Sequence, residues 1–316
     1  MGAEHLEALG LKGRDFLGLA DYTPDELRKL IDLGIELKRK NKANEVFHPL
    51  AGKTLGMIFE KSSTRTRVSF EVGMYQLGGH ALFLSRNDLQ IGRGEIISDT
   101  AGVLSRYLDG IMIRTFGHDI LLELAEHASI PVINALTDHS HPCQALADYM
   151  TVLEHKGKLE GLKIAYIGDG NNMAHSLMIG GAKLGLHVAV ASPEGYTPAE
   201  GVQADTRAIA AQTGGSLLVT GDAREAIEGA DIVYTDVWAS MGFEEEQKIR
   251  EKAFAAYQVN EELARYAKPD YVFLHCLPAH RGEEVTAGVI DSKHSIIFDE
   301  AENRLHAQKA ILAALL

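Results

Sequence analysis

Thr54-Leu55-Gly56-Met57-Ile58-Phe59 leads into Glu60-Lys61-Ser62-Ser63-Thr64-Arg65-Thr66-Arg67 and then into Val68-Ser69-Phe70-Glu71-Val72-Gly73-Met74-Tyr75-Gln76-Leu77. The first six residues are a short apolar run and the next eight are polar. Val68, Phe70, Val72, Met74 and Leu77 give the last stretch an apolar pattern, so the whole reads as strand, turn and helix. The same alternation recurs along the chain. Residues 81–84, 110–113 and 131–135 read as further strands, and a second series follows at 163–167, 187–191, 216–219, 231–236 and 271–276. Strands alternating with helical patterns imply βαβ units, so the expected fold class is α/β, with two parallel-sheet domains joined by helices.

The joins carry their own signals. Thr23-Pro24-Asp25-Glu26 supplies a cap, a proline suited to the first helical position and a capping-box Glu, and Leu27, Leu30, Ile31 and Leu37 follow at helical spacing. Between the two strand series, 142–156 has Ala145, Leu146, Tyr149, Met150 and Leu153 at helical spacing and no Gly or Pro after its start, and reads as a rigid helical linker. The first domain is therefore expected over 1–147 and the second over 148–299, with a closing helix over 300–316. In such sheets ligands bind beyond the carboxyl ends of the strands, and two facing domains would make a cleft there.

Bulk composition excludes several classes. The 316 residues are 46% hydrophobic and 24% charged, as in ordinary globular proteins, and no run of about 18 residues is continuously apolar. With 31 Lys and Arg against 44 Asp and Glu, the net charge of −13 argues against nucleic acid and against anionic membrane as partners. Cys143 and Cys276 are too few for a disulfide framework. The start, 1–15, has no apolar signal core and carries Glu4, Glu7 and Asp15, so a cytoplasmic location is expected.

The strand ends hold the chemistry. Ser63, Thr64, Arg65, Thr66 and Arg67 gather hydroxyls and guanidinium groups at a strand-to-helix turn, where free N–H groups favour anions and Arg forks grip phosphate. A capped helix with exposed arginines is the alternative, and the Gly-Lys pair of a nucleotide P-loop is absent. Arg114 ends another strand, suiting either an anion site or a surface ion pair. Asp138-His139-Ser140-His141-Pro142-Cys143-Gln144 admits three readings: a metal site, an oxygen-polarising His141 with Gln144 one turn on, or a His-Pro turn capping a helix. Gly168-Asp169-Gly170 imitates a dinucleotide turn, but Met173 stands where the third glycine belongs, which disfavours NAD. Asn171 and Asn172 either cap a helix or offer amides to a ligand carboxylate. Asp236, at a strand tip, suits an amine or a loop cap, and Ser240-Met241-Gly242 reads as a mobile loop with a glycine hinge. Cys276 suits a nucleophile, a ligand or a small buried residue, and Arg304 a ligand contact or an ion pair.

Taken in order, Ser63-Thr64-Arg65-Thr66-Arg67, Arg114, His141-Pro142-Cys143-Gln144, Asp236 with Ser240-Met241-Gly242, His275-Cys276-Leu277-Pro278 and Arg304 span nearly the whole chain. This set resembles the aspartate/ornithine carbamoyltransferase family. The first and third stretches resemble those of the aspartate-using members, whereas Asp236 with Ser240-Met241-Gly242 and His275-Cys276-Leu277-Pro278 look like the ornithine-using branch.

The resemblance implies that the first domain binds carbamoyl phosphate and the second L-ornithine, with 300–316 packing back on the first domain. The products would be L-citrulline and phosphate, as in arginine biosynthesis, with no cofactor and no metal. It implies Ser63, Thr64, Arg65, Thr66 and Arg114 as phosphate ligands. Arg114, Thr66 and His141 would hold the carbamoyl oxygen. Gln144, the Cys276-Leu277 backbone and Arg304 would orient the carbamoyl group. Asn172, Asp236, Ser240 and Met241 match ornithine ligands, with Asp236 and Cys276 beside the reacting δ-amine. Gln90 matches a residue lent to a neighbouring subunit, so a homotrimer or a multiple of trimers is implied. Rival readings are a carbamoyltransferase for another amine, such as putrescine, and a noncatalytic small-anion sensor on the same fold.

Overall fold

Thr23 caps the first long helix, α1 (Pro24–Lys42), with its hydroxyl accepting from Glu26 N–H while the Glu26 carboxylate accepts from Thr23 N–H, so the capping box forms in full. The structure is a computed structural model and describes residues 6–240 and 244–316. Interactions among residues divide the chain into two units, one running to Met150 and including Glu302–Leu316, the other Thr151–Ala301.

The first unit alternates β1 (Thr54–Phe59), α2 (Thr64–Gln76), β2 (His80–Ser85), α3 (Ile97–Tyr107), β3 (Gly110–Arg114), α4 (His118–His127) and β4 (Val132–Leu136). Its four strands are parallel in the order β2-β1-β3-β4. Ile58, Ile111, Ile113 and Val132 from the strands pack against Ala101, Leu121 and Leu124 from α3 and α4. β1 and β3 are buried on both faces, as parallel strands covered by crossover helices must be. α5 (Pro142–Lys156) follows, buried along almost its whole length from Pro142 to Leu153.

The second unit alternates β5 (Lys163–Ile167), α6 (Asn172–Lys183), β6 (His187–Ala191), α7 (Glu200–Thr213), β7 (Ser216–Thr220) and β8 (Ile232–Thr235). After it come α8 (Gln247–Phe254), β9 (Val272–Leu274) and α9 (Ile297–Leu315). Five parallel strands lie in the order β7-β6-β5-β8-β9. Ala165, Ile167, Val233 and Phe273 from the sheet pack against Ala226, Ile227, Val289 and Ile290 from covering segments. α5 and α9 each begin in one unit and end in the other. Among the described residues, no helix is long and apolar enough to cross a membrane.

Where the sequence reading and the strands differ, a hydrogen bond explains the difference. The expected strand over 231–236 is shorter, because the Asp231 carboxylate accepts from Lys163 N–H and from Lys268 Nζ, and Asp236 turns its own carboxylate onto Val237 N–H. The expected strand over 271–276 ends at Leu274, since His275 N–H is captured by the Glu300 carboxylate at 2.9 Å. The closing helix starts at Ile297, not at 300. Asp299 and Glu300 then lie in its first turn, where the helix dipole favours them. Arg304 therefore stands in the third turn and not at the helix start.

Both sheets reverse direction once, and the reversal fixes where chemistry belongs. Strand order turns back between β1 and β3 in the first unit and between β5 and β8 in the second, so crevices open beyond the carboxyl ends of those pairs. Phe59 pairs with Arg114 at one such edge and Ile167 with Thr235 at the other. The glycines of the dinucleotide-like turn serve this packing. A Cβ on Gly170 would lie 2.2 Å from Pro198 N, and Gly170 N–H donates to Tyr196 O at 2.8 Å, so this glycine serves close packing of the chain on itself. Gly170→Ala is expected to cost about 1–3 kcal/mol, because backbone rather than a movable side chain must give way. Urea unfolding of the variant checks this, and an unchanged midpoint would disprove it.

Candidate active site

The turn after β1 is built by Ser63. Its backbone is extended and its hydroxyl accepts from Thr66 N–H at 3.2 Å, which caps α2 and leaves the first N–H groups of the helix facing outward from its start. The capped-helix reading is therefore what the turn shows, and the same cap leaves its N–H groups in place for an anion. Thr66 is buried, and its Oγ1 accepts from Arg114 Nη1 at 3.4 Å and from Arg304 Nη2 at 3.3 Å. Arg304 Nη1 donates to Gln144 Oε1 at 2.5 Å, Gln144 Nε2 to Asp148 Oδ1 at 2.7 Å, and Arg304 Nε to Gln308 Oε1 at 3.2 Å. Four elements, α2, β3, α5 and α9, thus deliver Thr66, Arg114, Gln144 and Arg304 to one buried cluster. Arg114 sits at a register shift between β3 and β4, a local irregularity of the kind that re-aims a side chain.

His141 enters the same cluster. Burial, then the neighbouring charges of Arg304 and Arg114, hold its imidazole well below the ordinary histidine range, so the ring is neutral at neutral pH. The metal reading of 138–143 fails: Asp138 is taken by Lys61 at 2.5 Å, His139 lies against the His118 ring, and Cys143 Sγ donates to Asn134 O at 3.3 Å. Burial pushes the Cys143 thiol up to about 12, which removes it as a nucleophile. Arg67 leaves the turn as well, packing its guanidinium 3.7 Å over Phe83 and pairing with Glu71. Arg65 is half-buried, Thr64 is exposed, and Gln90 is exposed on a separate 3-10 turn after β2. The sequence reading missed Glu60. Its carboxylate accepts from the Thr115 hydroxyl and pairs with Arg86 at 2.8 Å, fixing the end of β1 to the end of β3.

The second unit assembles a group around Asp236. Asn171 Oδ1 caps α6 through Met173 N–H and Ala174 N–H, while its Nδ2 donates to Asp236 Oδ2 at 3.0 Å. The Cys276 thiol donates to Asp236 Oδ1 at 3.2 Å. Asn171 is therefore both cap and orienter. Asn172 begins the helix, half-buried, and Ser240 is half-buried in the segment after β8. Met241 and Gly242 lie outside the described residues. Arg250 donates to Trp238 O at 2.9 Å and to Asp169 at 2.8 Å, tying that segment down. Asp169 is nonetheless pushed up to about 6, because burial outweighs the guanidinium beside it.

Leu277 holds φ +59°, a left-handed conformation that costs a non-glycine residue about 1–3 kcal/mol. Its N–H donates to His275 Nδ1 at 2.9 Å, so His275 carries its proton on Nε2 and donates to Glu284 Oε1 at 3.0 Å. Glu300 holds His275 N–H with one oxygen and accepts from Tyr234 OH with the other. His275, Glu284 and Glu300 are almost wholly buried, and together they fix the turn that presents Cys276 and Leu277. Glu284, nine residues from His275, and Glu300, twenty-five residues from it, give no signal in a linear reading.

Among the described residues, two groups bring three potential metal ligands within 4.8 Å: Asp236, His275 and Cys276, and His280, Glu283 and Glu284. In the first, both His275 nitrogens are engaged and Cys276 is bonded to Asp236, so no lone-pair set faces an ion.

The carbamoyl-P binding domain of the aspartate/ornithine carbamoyltransferases matches residues 14–154, and the Asp/Orn binding domain of the same family matches residues 160–315. The chain belongs to the aspartate/ornithine carbamoyltransferase family. An ornithine carbamoyltransferase of Oceanobacillus iheyensis is 64% identical over 97% of this chain and 95% of that protein. One from Thermococcus kodakarensis is 58% identical over 98% of both. The solved ornithine carbamoyltransferase of Pyrococcus furiosus superposes with a TM-score of 0.94 at 57% identity, over 96% of this chain and 97% of that one. Family membership removes the anion-sensor reading as the default.

The neutral His141 has a measurable consequence. In the folded chain it resists protonation, whereas in the unfolded chain it protonates near 6.5, so the unfolded state binds the extra proton first as the solution is acidified. Its contribution to stability is full above about pH 6.5 and declines below it. The His141 imidazole resonances are expected to titrate with a midpoint well below the ordinary histidine value of about 6.5. An NMR titration with a midpoint at or above that value would show the ring is not held neutral.

Proposed function

We propose that the cluster of Thr66, Arg114, His141, Gln144 and Arg304, with Ser63, Thr64 and Arg65 at the start of α2, binds carbamoyl phosphate. We assign L-ornithine to the group of Asn172, Asp236, Ser240 and Met241, with Cys276. The reaction is transfer of the carbamoyl group from carbamoyl phosphate to the δ-amine of L-ornithine, giving L-citrulline and phosphate. The observation that carries the assignment is the meeting of two buried guanidinium groups on Thr66 Oγ1, at a helix start and beside a neutral imidazole. A phosphate dianion suits the cations and the helix N–H groups, and a carbonyl oxygen suits a neutral N–H donor.

The chemistry follows from where charge moves. The uncharged δ-nitrogen attacks the carbamoyl carbon, a C–N bond forms, the bond from carbon to the phosphate oxygen breaks, and a proton from the amine leaves with the phosphate. Charge grows on the carbonyl oxygen during attack, so donors from Arg114, Thr66 and His141 that are already in place stabilise the transition state more than the substrate. Gln144 and Arg304, with the Cys276-Leu277 backbone, orient the carbamoyl group. Asp236 is the anionic partner for the incoming amine, and Asn171 and Cys276 fix its two oxygens.

We further assign the chain to arginine biosynthesis in the cytoplasm, as a homotrimer in which Gln90 completes a neighbouring copy's site. A solved relative from Campylobacter jejuni, 41% identical, is described as an anabolic ornithine carbamoyltransferase, which supports the biosynthetic direction. Supporting the assembly are the exposure of Gln90 and the edge strand β2, where Leu82 and Phe83 remain 40% and 37% exposed.

Citrulline formation with ornithine, set against aspartate, putrescine and N-acetylornithine, tests the substrate. Ornithine alone is expected to turn over rapidly. His141→Ala is expected to lower kcat about 10²–10³-fold, the usual effect of deleting one oxyanion donor, with ornithine KM little changed. Arg65→Ala is expected to raise KM for carbamoyl phosphate while thermal unfolding stays put. Turnover of another amine would overturn the ornithine assignment, and unchanged phosphate affinity in Arg65→Ala would overturn the anion pocket.

A further inference from the structure

Beside the turn that presents Cys276, a second group has no part in the transfer chemistry. His280 Nδ1 lies 3.6 Å from Glu283 Oε2 and 3.9 Å from Glu284 Oε2. His280 and Glu283 are partly exposed, with side chains 50% and 37% accessible, so an ion reaches them from solvent. Glu284 is fully buried, and its two oxygens have different fates. Oε1 accepts from His275 Nε2 and from His280 N–H, whereas Oε2 receives no hydrogen bond and faces His280 and Glu283. A buried carboxylate oxygen left without a donor is costly, and it ordinarily marks a place where a cation or another partner binds.

The scaffold around the group is already fixed. His280 N–H is bonded to Glu284 at 2.7 Å, Gly282 N–H donates to Val285 O at 2.8 Å, and the Gln258 side-chain amide donates to the carbonyls of Gly282 and Glu283. Gly282, at φ +93°, lets the chain fold back so that three ligand atoms share one side. Tetrahedral zinc with bonds of about 2.0–2.2 Å sets its ligands roughly 3.4 Å apart, close to the 3.6 and 3.9 Å from His280 to the two carboxylates, and the three ligand atoms all lie within 4.8 Å of one another.

We propose that His280, Glu283 and Glu284 bind a divalent transition-metal ion of the zinc type, one nitrogen and two carboxylate oxygens leaving the fourth position to water. The imidazole selects against Mg²⁺ and Ca²⁺, which take oxygen ligands in larger shells. The ion is structural: it satisfies Glu284 Oε2, and Glu284 holds His275, whose Nδ1 holds the strained Leu277. An occupied site therefore stiffens the turn carrying Cys276 and Leu277 without touching either.

Isothermal titration of Zn²⁺ into the chelator-stripped full chain tests this. One equivalent per chain is expected, with a rise in melting temperature, and a hundredfold excess of Mg²⁺ is expected to leave the isotherm in place. His280→Ala and Glu283→Gln, both at accessible positions, are expected to fold and to weaken binding at least about tenfold, as loss of supporting groups alone already does. Cys276→Ser is expected to bind as the unaltered chain does. No binding, unchanged affinity in His280→Ala, displacement by Mg²⁺, or loss of binding in Cys276→Ser would each overturn the proposal, the last by moving the ion to the thiol.

Discussion

Two guanidinium groups donating to one threonine hydroxyl impose the strictest constraint on this chain. Arg114 and Arg304 are each about one-twentieth exposed, and taking a cation out of water is costly unless fixed acceptors replace the water. Here the acceptors are Thr66, Gln144 and Gln308, drawn from α2, α5 and α9. All three are neutral acceptors that hold guanidinium donors in place beforehand, as a site for an anionic substrate needs. The same two cations, together with burial, keep His141 neutral. One electrostatic choice thus gathers the cations and sets the protonation state of the imidazole beside them.

The second unit solves the opposite problem. The Asp236 carboxylate, proposed above as the partner of the amine, is aimed by the Asn171 amide and the Cys276 thiol, neither of which neutralises a carboxylate. The turn bearing Cys276 pays a backbone cost at Leu277, which a chain of buried hydrogen bonds through His275, Glu284 and Glu300 sustains. Removing any link leaves a buried polar group unmade, so the strain and its support stand or fall together.

Local pattern made most of the fold legible. β1, β5 and β6 are short apolar runs bounded by turn residues, and Thr23 through Glu26 announce a capped helix in four letters. What stayed hidden was decided by side chains reaching across the sequence. The end of β9 depends on Glu300, and the aim of Asp236 on Asn171, which linear reading left between helix cap and ligand contact. Arg67 and Arg65 are alike by composition, but only the structure sends Arg67 onto Phe83. Likewise the cluster of His and Cys at 138–143 has the composition of a metal site. Its members point to Lys61, His118, the arginine pair and Asn134 O instead.

Topology explains why chemistry gathers on some strands and not others. In each unit the chain lays down a first strand, moves outward to one side, then returns and adds two strands on the other side: β2-β1-β3-β4 and β7-β6-β5-β8-β9. The proposed site residues follow the first strand and the two returning ones. Ser63 to Thr66 follow β1, Arg114 ends β3, and His141 and Gln144 follow β4; Asn172 follows β5, Asp236 and Ser240 follow β8, and Cys276 follows β9. The outward strands β6 and β7 contribute none of these residues, because their carboxyl ends lie away from the reversal where a crevice opens. Gln90 and Arg304 are exceptions: Gln90 follows β2 on the outward side of the first sheet and is exposed, and Arg304 lies within α9. The turn that carries Gln90 comes after the edge strand β2, on the side of the sheet away from β3 and β4, so its position follows from the outward excursion of the chain and not from the reversal between β1 and β3.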